Sequence, residues 1–475
     1  MTGFLISVLP ADLRRPGNGE TINYTHVLFE WEQENDAVSY NFQLSIDDTF
    51  SNLLSDINVE SLININTSNI QWNSTYYWRV RAQYQDNTYG DWIDSYSFST
   101  GSQRSQAYSI NTNDNAYQEG VTIFSSFFNY YSAMIDQNGN EIWNTGSNDI
   151  VYYNTDYYGQ LFGCYVNNSL ENYLPGIQFS IDNEYIWEEP NNEFLHHELI
   201  RLPDGNFLGL VEVIELGPIP IGQWTPLYQA LGYEADGETI EFLWLGDKII
   251  EWDAVTKEEV WSWDVFDYFS MTDYDQLGGI WFEAYSTNRF DWTHGNAIFW
   301  DEDDSAIYLS SRHLNRITKI AYPSGDIIWS MGKEMPSGDV DCGQNIGFSF
   351  QHSLSVEDNG NIIFLDNGNL SQILNDTPYP TSRGLEIGIN DEGLGCESNV
   401  VWEYSLPGEY FGYASGNVQK LDNGNYLIVT IGNAGSALEV NSNNELIWEG
   451  NFALQEPNGA VYRANRISGL FPVAL

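Results

Sequence analysis

Three of the chain's six histidines recur at one place in a repeated pattern. HHELIRLPDGN sets His197 eight residues before Gly205, and QHSLSVEDNGN sets His352 eight residues before Gly360. THGNAIFWDEDDS begins the same kind of strand at His294 with a slightly longer turn, and SGNVQKLDNGN carries Gly416 at the matching place. Three imidazoles brought together can bind zinc or copper. They can also hold an anion, move protons, or attack sulfur or phosphorus as nucleophiles. Arg312, which ends IYLSSR on the strand after His294, discriminates between these chemistries. A guanidinium is unfavourable beside a metal ion and suits a tetrahedral oxyanion such as sulfate or phosphate.

Asn296 shares strand parity with His294, so its amide is expected to face the same space and donate to an anion oxygen. Arg383, in TSRGLEI, is a second cationic candidate, with a salt bridge to one of the many carboxylates as the competing reading. His196 should turn away from His197 by strand alternation. His26 and His313 read as structural or exposed. The chain has no phosphate-binding loop, no Ser-His-Asp order and no DxDxDG calcium loop.

The elements that must position these residues are strands. NGNEIWN, DNEYIWE, KEEVWSW, SGDIIWS, ESNVVWE and NNELIWE each follow a polar turn and end on Trp143, Trp187, Trp261, Trp329, Trp402 and Trp448. PDGNFLGL, EDDSAIYL, DNGNIIFL and DNGNYLIV recur ahead of several of them. A turn and strand followed by another turn and strand is the logic of a propeller blade, and six tryptophan-ended units predict six blades over residues 105–475. First strands of blades line the central channel, so His197, His294 and His352 should converge there. Insertions are expected around 214–245 and 265–290, and VYRANRISGLF should supply a strand that closes the ring.

Residues 1–104 read differently. VLFEWEQ, SYNFQLSID, TYYWRVRAQY and DSYSFST alternate apolar and polar residues between turns, with Trp31 and Trp78 as core. YYWRVRAQY followed by YGDW resembles the later strands of fibronectin type III-like modules, which implies a spacer or docking role toward a cell-surface or protein partner. GSQRSQ, 101–106, reads as a linker. The fold class is thus all-β, a six-bladed β-propeller preceded by a fibronectin type III-like β-sandwich.

Bulk properties narrow the partners. The formal charge of −50 repels phosphates and anionic lipid, so neither nucleic acid nor membrane insertion is expected. No apolar run reaches transmembrane length, and MTGFLISVLP lacks the basic start of a signal peptide. The acidity and sequons at Asn23, Asn66, Asn73 and Asn167 favour an extracellular, cell-surface or periplasmic setting. Cys342 and Cys396, both in Gly-rich sequence, are the preferred disulfide pair over Cys164.

DWTHGNAIFWDEDDSAIYLSSRH, FQHSLSVEDNGNIIFLDNGN and SRGLEI resemble the bacterial aryl-sulfate sulfotransferase family over most of residues 105–475. The resemblance implies a six-bladed propeller that moves a sulfuryl group from a phenolic sulfate ester to another phenol, with no nucleotide donor, no cofactor and no metal. It makes His352 the transiently sulfated histidine, His294 and Asn296 the H-x-N pair, Arg312 the sulfate-binding arginine and His197 the remaining channel histidine. The chain departs from the family's best-studied members in its N-terminal β-domain. Two other classes stay open: a noncatalytic extracellular propeller for adhesion or surface assembly, and a metal-dependent enzyme using the three histidines.

Overall fold

Short runs rich in Tyr, Trp, Phe, Ile and Val between Asp, Asn and Gly turns cannot hold a helical stripe, and they form strands. A computed structural model describes residues 12–471 apart from 114, 157, 171, 191–192, 344 and 392–394. The MTGFLISVLP segment lies outside the described residues. Strands dominate and helices are few and short.

The described residues before 101 form two sheets. Leu13–Arg15, Val27–Trp31 and Ile63–Asn66 make one. Ala37–Ser45, Leu53–Val59, Thr75–Tyr84 and Tyr96–Thr100 pair in the other, with Glu20–Ile22 at its edge. Trp31 and Phe29 from the first meet Trp78 and Phe42 from the second in one core. The segment 101–106 is not a free linker. Arg104 and Ser105 donate backbone N–H groups to the buried Glu141 carboxylate, and Ser102 accepts from Asn144. Trp72 Nε1 also donates to Glu141 O at 3.0 Å, so the N-terminal sheets cover the outer edge strand Glu141–Asn144.

After residue 107, six sheets of four or five strands follow one another along the chain, antiparallel except where Phe290–Asp291 pairs parallel with Ile240–Trp252 in the third. In sheets two to five the strands run in chain order from inner to outer. Ala460–Ile467, near the C-terminus, pairs with Val121–Phe127 and becomes the inner strand of the first sheet. Tyr108–Asn111 adds a fifth strand to the outside of the sixth. Each inner strand packs on the inner strand of the next sheet, and Asn417–Lys420 of the sixth packs on Ala460–Ile467.

The six tryptophans of the repeat all stand on fourth strands. Four of the five that find a hydrogen-bond acceptor find a carbonyl in the last turn of the following sheet. Trp143 donates to Ile181 O, Trp187 to Ala254 O, Trp261 to Pro323 O and Trp448 to Gln137 O. Trp329 uses the Asp391 carboxylate in the same way. Since Gln137 belongs to the first sheet, Trp448 joins the last sheet to the first. Trp402 differs: its Nε1 is buried without a partner among the described residues, and its ring stacks on Tyr426 at 3.6 Å.

The two insertions become structure beside the inner strands. Phe207–Pro218 and Ile240–Trp252 extend as a long hairpin carrying the helix Thr225–Leu231. Residues 265–290 form the short helix Val265–Tyr268 and the helix Ile280–Thr287. Cys342 and Cys396 are disulfide-bonded, and Cys164 is a buried free thiol. Among the described residues no helix is long and apolar enough to cross a membrane.

Candidate active site

The inner strands of sheets three, four and five break their ladders where the histidines lie. Register shifts fall between His196 and Leu199, between Gly295 and Ala297, and between His352 and Ser355. Such bulges re-aim side chains. His197 and His294 themselves adopt left-handed backbone, with φ of 62° and 47°. That conformation is uncommon away from glycine, and it gathers where geometry serves a function.

His197 and His294 come together with ring centroids 5.1 Å apart, and His313 lies 4.6 Å from His294. His196 does not turn away from His197. On the third sheet, three residues from His196 to Leu199 face one step from Leu210 to Gly209. The extra length cancels alternation, and the two Nδ1 atoms meet at 2.6 Å. Five of the six histidines therefore share one neighbourhood, with His26 elsewhere.

A cavity of about 440 Å³ opens here. His196, His197, His294 and Asp291 line it, with aromatic walls that include Phe194 and Tyr462, and with Glu283 and Ala284 from the inserted helix. His352 is not part of that lining and is 5% exposed. Residues 413–415 do line the cavity. Asn367 links the two: its Oδ1 is 2.7 Å from His352 Nδ1, and its Nδ2 donates to Gly412 O and Ser415 O. Phe350 O also accepts from His352 Nδ1, at 3.0 Å. Two acceptors on Nδ1 place the proton there and leave the lone pair on Nε2. Burial first, then the Arg312 charge, hold the His352 pKa well below the ordinary histidine value.

Arg312 reaches this cluster from the end of the strand Ala306–Ser311. Its backbone N–H donates to His294 O at 3.2 Å. Its guanidinium lies over the Phe350 ring, donates from Nη1 to His313 Nε2 and contacts Tyr413 O from Nη2. Nε is buried without a partner among the described residues. Burial pushes its pKa down to about 10, against the opposing pull of Asp291 and Glu283, so it stays cationic at neutral pH.

Asp291 organises the near side. Its carboxylate is 2.5 Å from His294 Nδ1, and its backbone carbonyl is 2.7 Å from His313 Nδ1. Burial opposes its charge, but His294 and His313 hold its pKa below the usual carboxylate range. Asp291, His294 and His313 are close enough to surround a metal ion. His313 is ill suited to that role. Its Nδ1 donates to Asp291 O and its Nε2 accepts from Arg312, which leaves no free lone pair, and a cation stands beside it.

Two expected substrate contacts lie elsewhere. Asn296 is fully buried; its amide donates to Gln351 O at 2.7 Å, because the bulge between Gly295 and Ala297 turns it into the sheet interface. Arg383 is bound to Asp366 at 2.7 Å and to Glu403 at 3.3 Å, the salt-bridge alternative, so it is not free for an anion. The sequence reading missed Asp291, Asp247, His196, His313 and Asn367. Asp291, three residues before His294, and His313, next to Arg312, were the visible signals; the other three depend on pairing across the sheets.

No curated protein sequence matches the chain. A Bacteroides caccae protein of unknown function is 12% identical and covers 73% of this chain and 98% of its own length, with a TM-score of 0.40. A Bacteroides thetaiotaomicron protein of unknown function is 11% identical and covers 96% and 99%, with a TM-score of 0.30. Residues 233–463, which hold His294, Asn296, Arg312, His352 and Arg383 but not His197, match the family model of the arylsulfotransferases (ASST).

Proposed function

We propose that the six sheets are the blades of a propeller and that the histidine site transfers sulfuryl groups between phenols. The arylsulfotransferase match over residues 233–463 supports the reaction class. The observation that carries the mechanism is the tautomer of His352. With Nδ1–H donated to Asn367 Oδ1, Nε2 is an unprotonated nucleophile next to a cationic Arg312.

In this reading Nε2 of His352 attacks the ester sulfur. The S–O bond breaks as the N–S bond forms, and the electron pair leaves on the phenolate oxygen. Arg312 and His294 stabilise the sulfuryl oxygens as their charge is redistributed. His197 supplies the proton to the leaving phenolate and later takes one from the incoming phenol. That second oxygen attacks sulfur and regenerates His352. His352 does not line the cavity, so in this reading substrate binding moves the segment 413–415, which Asn367 ties to His352. We further propose that the protein is exported, that the N-terminal sheets are a fibronectin type III-like module, and that no cofactor takes part.

Incubation with 4-nitrophenyl sulfate and a phenol acceptor tests the reading. Nitrophenol release that depends on the acceptor, with a sulfated phenol as product, supports it. Absence of transfer supports instead a noncatalytic extracellular role.

A further inference from the structure

The histidine doublet carries more than the proposed transfer uses. His196 Nδ1 and His197 Nδ1 are 2.6 Å apart, a distance that two lone pairs or two N–H groups could not hold, so one proton lies between them. On its far side, His196 Nε2 is 3.1 Å from Asp247 Oδ1. Asp247 is itself fixed, because it accepts from Thr293 Oγ1 and from the Gly295 backbone N–H. His197 Nε2 has no hydrogen-bond partner among the described residues, and the ring lines the cavity.

We infer that Asp247, His196 and His197 form a proton relay in which His196 carries the cation and His197 presents Nε2 to the reacting oxygen. This rests on the transfer reaction proposed above. In the first half-reaction His197 gives its Nε2 proton to the leaving phenolate and receives the Nδ1 proton of cationic His196. His196 ends neutral, keeping its Nε2 proton beside Asp247. In the second half-reaction His197 Nε2 takes the proton of the incoming phenol, and its Nδ1 proton returns to His196. Protons balance over the cycle, and the charge rests on the member of the pair beside the carboxylate.

The surrounding charges agree with this assignment. Burial works against a charged His196, but Asp247, Glu212 and Asp291 face it and together raise its pKa. Burial first, then His196, His294, His352 and Arg463, hold the His197 pKa well below the ordinary value. His196 is a positioning residue here, since it acts through His197.

The test compares wild type with His196→Gln on two donors. 4-Nitrophenyl sulfate has a leaving group that needs little protonation, whereas phenyl sulfate needs a proton. The relay predicts that His196→Gln slows the donor half-reaction, read as donor kcat/KM, by roughly a hundredfold for phenyl sulfate and at least about tenfold less for 4-nitrophenyl sulfate. It also predicts that the acid-to-neutral plateau of the phenyl sulfate pH profile collapses. Equal slowing on both donors, or no slowing on either, would overturn the relay. Nitrogen-15 NMR of the wild-type histidines separates this proposal from the reaction it rests on. At neutral pH His196 should be protonated on both nitrogens and His197 on Nε2 alone. A neutral His196 removes the relay even if sulfate is transferred. If neither donor is turned over, the transfer reading falls and the NMR pattern decides the proton arrangement by itself.

Discussion

At the residue scale the proposed chemistry depends on which nitrogens are occupied. His352 has its Nδ1 on Asn367 and Phe350, His294 has its Nδ1 on Asp291, and His313 has both nitrogens engaged. Asn367→Ala should free the His352 tautomer and cost about 1–3 kcal/mol in transition-state stabilisation, a loss of roughly five- to hundredfold in kcat/KM. Arg312→Ala should weaken inhibition by free sulfate by roughly tenfold or more and lower kcat as well as raise KM for an aryl sulfate. The sign of the pH dependence follows from the lowered His352 pKa. As pH falls through 6.5, His352 Nε2 keeps its lone pair, so kcat/KM should hold level there and drop only at lower pH. An acid limb centred at the ordinary histidine value in a pH–rate profile would contradict the assigned environment. Asp247 and Asn367 are hidden from the sequence because each reaches its histidine from a neighbouring strand or the turn beyond it, whereas Asp291 stands only three residues before His294. Strand parity does not register the bulge that turns Asn296 inward, and Arg383 takes the salt bridge weighed against anion binding.

At the element scale, the tryptophan-ended strands were readable because turn residues and apolar residues recur with them. All six tryptophans stand where the repeat placed them, and the C-terminal segment supplies a strand to the first sheet. The bulges were not readable, since one or two extra residues in a ladder leave no mark on composition; that is why His196 was assigned to the wrong face. The clasps make a sharp contrast. Trp448→Phe loses the bond to Gln137 O that joins the last sheet to the first, and should cost about 1–3 kcal/mol. Trp402→Phe loses ring contact but, among the described residues, no hydrogen bond, so it should cost less than Trp448→Phe in thermal unfolding. Glu189, just beyond the strand Tyr185–Glu188, gives a second test. Burial pushes its pKa up to about 8, from an ordinary value near 4.5. The folded chain then holds a proton that the unfolded chain releases between these values, so this group's contribution to stability falls as pH rises toward 8. The melting advantage of Glu189→Gln over wild type should grow across that range and level off above it.

At the scale of the whole molecule, a formal charge of −50 surrounds the site proposed to receive an anion. Self-repulsion is screened by salt, so the melting temperature should rise between low ionic strength and about 0.5 M NaCl. Capture of an aryl sulfate should also speed up with salt, read as initial kcat/KM at a fixed donor concentration. A fall with salt would mean that the local field of Arg312 and the histidines outweighs the surface. The charge was plain from composition, whereas a cationic centre inside it required knowing which rare basic residues the sheets bring together. The sulfated His352 intermediate is tested most directly by mass spectrometry of the protein after brief exposure to an aryl sulfate without acceptor. The expected result is one added sulfuryl group on the peptide containing His352, lost on addition of a phenol and absent from His352→Ala. A His352→Ala protein that still transfers sulfate at the wild-type rate, or a sulfuryl group found on a different residue, would contradict it.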